Sequence, residues 1–173
     1  MQGTHTSRVQ AGLRLGFCLF LVSEVFFFAG FFWAYLHSSL APAVELGSIW
    51  PPAGVVSISA FHVPLLNTVV LLSSGATVTW SHFSLVSGHF STSFLSLALT
   101  ILLGSFFSLL QVYEYYSSSF CISDSVYGSC FYLATGFHGI HVLIGSCFLL
   151  VALLRLFNFH FSPSRNLGFL FAC

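Results

Sequence analysis

Glu24 stands in the middle of an apolar run, FCLFLVSEVFFFAGFFWAYL, from Phe17 to Leu36. The run is about as long as a helix that crosses a bilayer, and an ionised acid near its centre costs very roughly 2.5–3.5 kcal/mol on insertion scales. A carboxyl in that position must be neutral, paired, or turned towards protein or water, and acids so placed often mark proton paths. A second constellation is FHGIH, whose His138 and His141 stand at i and i+3 on one helix face, as metal ligands can. His82, in another apolar segment, is the partner that a haem held between two helices would need. Against metal or haem, no third and fourth ligands stand at a defined spacing. Polar packing and lipid headgroup contact are the competing roles for this pair. No Ser–His–Asp arrangement, phosphate-cradling glycine loop or acid pair can be read with any specificity.

The elements that carry these residues follow from composition. The chain is 57% hydrophobic and only 5% charged, against about 25% charged residues in soluble domains. So few charges cannot cover a solvated surface, so lipid is the expected solvent. There is no lysine, and Arg8, Arg14, Arg155 and Arg165 carry all the formal positive charge. No basic patch exists to grip nucleic acid. The cysteines Cys18, Cys121, Cys130, Cys147 and Cys173 form no CxxC and read as small packing residues rather than a disulfide framework.

Hydropathy predicts an all-α, polytopic transmembrane bundle, a single membrane domain over 1–173 with four full spans at about 15–36, 63–83, 94–113 and 131–154. Segment 167–173 is apolar but too short to cross. Four spans put both termini on one side, and all four arginines fall there, which places the termini on the matrix or cytoplasmic face. Gly16, Ser23 and Gly30 form a small-residue stripe beside Glu24 that lets another helix approach. Asn67, Ser74, Gly75, Val78 and His82 share a face of the second span, and Thr135, His138, His141 and Gly145 a face of the fourth. His5, His37, His62, His89 and His160 fall near span ends, as do Glu114 and Asp124, both expected to be interfacial.

The same segments carry a family resemblance. VSEVFFFAGFFWAYLHSSLAPAVELGSIWPPAGV resembles the third helix and following loop of cytochrome c oxidase subunit III. VPLLNTVVLLSSGATVTWSHFSL is similar to that family's fourth helix, and EYYSSSFCISDSVYGSCFYLATGFHGIHVLIGS to its fifth-to-sixth helix region. The four spans thus match helices three to six of a seven-helix fold. Helices one, two and seven are expected to come from separate chains.

The resemblance implies a non-redox subunit of mitochondrial complex IV, in the inner membrane with both termini on the matrix side. Its partners would be subunit I, other complex IV subunits and membrane lipids. Haem and copper would lie in the neighbouring subunits, and bound phospholipids would be this chain's only ligands. Glu24 matches the family's helix-three carboxylate, which supports proton uptake. Trp33, Arg155 and His160 match positions near headgroups, with His82, His138 and His141 as further lipid-contacting positions. The chain departs from the family pattern at Phe83, His62 and Leu170, and in the nearly neutral loop SLVSGHFSTS. Two other readings compete: a small proton-coupled transporter or channel, for which no internal repeat is visible, and a membrane haem protein using His82 with His138 or His141.

Overall fold

Thr6 begins the first helix, its hydroxyl accepting the Val9 N–H at 3.4 Å. From there α1 runs over Ser7–Leu40 and stops just before Pro42, whose ring cannot continue it. The computed structural model describes residues 6–162 and 166–173; His5 and Arg165 lie outside them. After a one-turn 3-10 helix at Val44–Leu46 come α2 (Val63–Val86), α3 (Phe90–Ser117), α4 (Val126–Phe157) and the short α5 (Leu167–Ala172). Pro64 sits in the first turn of α2, where no backbone donor is needed. Helices α1 to α4 are all long and apolar enough to cross a membrane.

Each expected span lies inside one helix, and each helix outruns it. Hydropathy marks the stretch that lipid can solvate, whereas the polar ends remain helical because their backbone bonds are local. With 34 residues, α1 is roughly 50 Å long, against a hydrocarbon core of about 30 Å. It must tilt or project beyond the core.

The chain divides into two units. One holds Met1–Gly54 and Ile122–Ala134, and the other Val55–Cys121 and Thr135–Cys173. In the first, α1 buries none of its residues. Trp50 anchors the loop, its ring edge-on to Tyr35 at 5.6 Å and to Tyr127 at 5.5 Å. Ser125 caps the start of α4 by accepting the Gly128 N–H.

In the second unit α2 packs along α3. Gly88, at φ 81°, turns the chain between them. Its N–H bonds Leu85 O at 3.0 Å and the His89 N–H bonds Ser84 O at 2.9 Å, a Schellman closure that needs a left-handed residue. The α2 face that is buried carries Asn67, Val70, Ser81, Ser84 and Leu85. The buried positions of α3 are Ser93, Ser96, Leu97, Thr100, Gly104, Phe107 and Glu114, of which Gly104 and Phe107 also meet α4. Small and hydroxylated residues recur on both faces, as expected where lipid supplies no hydrophobic driving force and close approach does the work. Of the expected α2 face, Asn67 is buried and Ser74, Val78 and His82 are half-buried, but Gly75 is exposed, and Ser81 and Leu85 are the fully buried positions. Thr77 and Thr100 hydroxyls lie 2.8 Å apart across the same seam. The core at the far end joins Leu85, Leu97, Ala152, Leu156, Phe161 and Phe169.

Candidate headgroup and proton sites

Glu24 lies one heptad from Phe17 and one from Phe31, and these three with Phe28 are the half-buried positions in the apolar stretch of α1. The carboxyl is thus set in an aromatic stripe of its own helix, with Phe27 edge-on to Phe28 at 5.5 Å and to Phe31 at 5.1 Å. Around it the helix is bare: Phe26 is 73% exposed and Val25 68%. Beyond the helix's own backbone, nothing described lies within 4 Å of where a Cβ would stand at Gly16 or Gly30, so the small-residue stripe is open. One turn beyond Gly30, Trp33 is exposed and lines a shallow hollow with Gly30, Ala34 and His37. Within the same unit Phe27, Gly30, Phe31 and Ala34 face Ser129, Cys130 and Leu133 across an apolar cleft of about 380 Å³. Cys130 is buried there, whereas the other four cysteines are exposed.

Three of the other expected positions converge on one end of the second unit. The Arg155 guanidinium lies 4.7 Å above the centre of the Phe161 ring. Phe161 is edge-on to Phe169 at 5.5 Å, and His82 stacks on Phe169 at 6.3 Å with the rings 17° apart. His160 is exposed beside this cluster, its N–H closing the end of α4 on Arg155 O at 2.9 Å. The closure forces Phe159 to φ 56°, an uncommon value for a bulky residue, and its ring rests on Phe90 at 6.1 Å. A cation held over an aromatic face, with a histidine stacked behind, leaves the guanidinium N–H groups free in character to fork onto a phosphate.

His138 and His141 stand midway along α4. His138 meets the edge of Phe107 at 5.7 Å. His141 Nδ1 lies 2.6 Å from Phe137 O, the carbonyl one turn back, so that nitrogen carries the proton if it donates to the backbone. Thr135, on the same helix, shares a 2.7 Å hydrogen bond with the Tyr115 hydroxyl. His82 belongs to the Phe169 stack and not to a pair with either histidine. No group of three His, Cys, Asp or Glu side chains is placed to hold a metal ion among the described residues.

Glu114 is where the expectation fails. Taken as interfacial, it is 6% exposed, and Asn67 Nδ2 donates to its Oε2 at 3.4 Å. The helix runs on to Ser117, so Glu114 continues the buried row of Thr100, Gly104 and Phe107. That spacing is visible in the sequence once the helix is allowed past the hydropathic span.

The family model described as cytochrome c oxidase subunit III matches residues 1–173. "Cytochrome c oxidase subunit 3" of Oryctolagus cuniculus is 61% identical over 168 residues, 97% of this chain and 64% of that protein. Those of Gallus gallus and Pisaster ochraceus are 59% and 60% identical over the same length of this chain, covering 64% and 65% of theirs. The chain spans about 64% of the length of the curated relatives it matches. With an apolar four-helix frame and a match along its whole length, the chain belongs to the cytochrome c oxidase subunit III family.

Proposed function

We propose that this chain acts as a non-redox core subunit of the mitochondrial cytochrome c oxidase, complex IV. It stabilises the catalytic subunit, holds structural phospholipids and supports proton uptake while electrons pass from cytochrome c to oxygen. The support is the family match over residues 1–173, taken with four helices long and apolar enough to cross a membrane. Haem and copper are assigned to neighbouring subunits. Subunit I is the partner for α1, in the inner membrane, with both termini on the matrix side.

Glu24 is the proton-uptake group in this reading. Its aromatic stripe keeps water from it along its own helix, and the open side of α1 is where a partner brings a proton route. The Arg155, His82 and His160 end is the headgroup site, with the guanidinium as the phosphate anchor. Trp33 serves as an interfacial anchor, and His138 and His141 as polar contacts within the bilayer.

Affinity capture of this chain from its native membrane under mild detergent tests the reading. Haem-bearing oxidase subunits should co-purify in fixed proportion. Recovery of the folded chain alone, with no oxygen-reducing neighbour, would sink it.

A further inference from the structure

Asn67 and Glu114 form an isolated polar pair inside the α2–α3 seam. Asn67 is 5% exposed and Glu114 6%. Asn67 Nδ2 has the carboxyl oxygen at 3.4 Å, but Asn67 Oδ1 is buried with no hydrogen-bond partner. An orphaned buried acceptor is costly, and most such atoms in folded proteins find a donor. An ionised carboxylate has no donor to offer, whereas a carboxylic acid has one O–H. At 3.4 Å the contact is longer than the usual N–H···O range of about 2.7–3.2 Å.

The surroundings do not supply a counter-charge. The one titratable residue of α2 is His82, roughly 22 Å along the helix from Asn67. On α3, Tyr113, Tyr115 and Tyr116 flank Glu114, and Tyr115 is engaged with Thr135. The α4 portion of this unit brings His138, His141 and Arg155, the last lying over Phe161 in the cluster that also holds His82. Among the described residues no ion pair reaches Glu114, and Asn67 is the only side chain bonded to its carboxyl.

We propose that Glu114 is a second proton-holding site of this chain, its carboxylic O–H donating to Asn67 Oδ1 while the Asn67 amide donates back to the other carboxyl oxygen. A proton on the other Glu114 oxygen gives Asn67 Oδ1 the donor that it lacks. The neutral acid–amide ring leaves no charge in the seam and satisfies each buried polar atom. It fastens the first turns of α2 to the last turns of α3 without an ion pair.

The test is made on the chain in its native membrane complex, comparing wild type with Glu114→Gln, Glu114→Leu and Asn67→Leu. Infrared spectra at neutral pH, with glutamate carboxyls labelled with carbon-13, should contain a protonated-carboxyl C=O band that Glu114→Gln removes. In Asn67→Leu that band should move to higher frequency as its hydrogen bond is lost. Glu114→Gln, a neutral isostere, should keep the thermal midpoint close to wild type, while Glu114→Leu lowers it by several degrees. A spectrum with no acid band assignable to Glu114 overturns the proposal. So does Glu114→Gln as damaging as Glu114→Leu, which would mean that the charge is required, or Glu114→Leu as stable as wild type. If Glu114→Leu or Asn67→Leu does not assemble, the band that Glu114→Gln removes still decides whether the proton is held.

Discussion

Ser81 and Ser93 exchange hydrogen bonds across the α2–α3 seam. The Ser81 hydroxyl donates to the Ser93 carbonyl at 2.8 Å, and the Ser93 hydroxyl to the Ser81 carbonyl at 3.0 Å. Both residues are fully buried. Neither hydroxyl has water to return to when its partner is lost, so the pair should behave as a unit. Ser81→Ala and Ser93→Ala are each expected to cost about 0.5–1.5 kcal/mol. A double-mutant cycle on detergent-solubilised protein should give a coupling near 0.6 kcal/mol, the average for interhelical hydrogen bonds in membranes. Strictly additive losses would show that the exchange contributes nothing beyond shape.

Gly104 is fixed by space. A Cβ there would stand 2.9 Å from Ser146 Oγ on α4, closer than real Cβ atoms come. Gly104→Ala should weaken the α3–α4 contact modestly, since the Ser146 hydroxyl can rotate, and Gly104→Val should cost about 1–3 kcal/mol. Ser146→Ala should recover part of the Gly104→Ala loss. Thermal unfolding of the three variants checks this, and a Ser146→Ala that deepens the loss would refute it.

Arg155 is expected to act through both its charge and its plane. Arg155→Met should lose bound phospholipid, measured by mass spectrometry after detergent washing. Arg155→Lys should keep part of it, because lysine retains the charge but not the fork or the stacking surface over Phe161. Loss of the aromatic contact alone should cost about 0.5–2 kcal/mol. Equal lipid retention in all three proteins would remove Arg155 from the headgroup site.

Glu24→Gln should leave electron transfer largely intact while slowing proton uptake or shortening the working life of the oxidase in prolonged turnover. The measurement is oxygen consumption followed over many turnovers, beside proton uptake in reconstituted vesicles. An unchanged time course in Glu24→Gln and Glu24→Ala would remove its role.

Much of the frame could be read from residue order because lipid demands long apolar helices, and runs such as Phe17–Leu36 state that demand locally. Packing faces were harder to read. In α2 the polar residues outnumber the buried positions, and only α3 decides that Ser81 points inward while Gly75 does not. Glu114 was misplaced because hydropathy falls at Tyr113 while the helix continues to Ser117. The Arg155–Phe161–Phe169–His82 stack joins residues distant in the chain, and no spacing rule announces it. Glu24, by contrast, announces itself from one helix alone, since an acid among phenylalanines needs no partner to look anomalous.

The Ser87–Gly88–His89 turn joins α2 to α3 with hardly any slack. During synthesis, α2 alone would offer Asn67, Ser81 and Ser84 to hydrocarbon, and α3 alone would offer Ser93, Ser96, Thr100 and Glu114. Released from the insertion machinery as a closed hairpin, the two helices hide one another's hydroxyls before lipid meets them. So short a link keeps the two segments side by side and favours their entering the bilayer as one object.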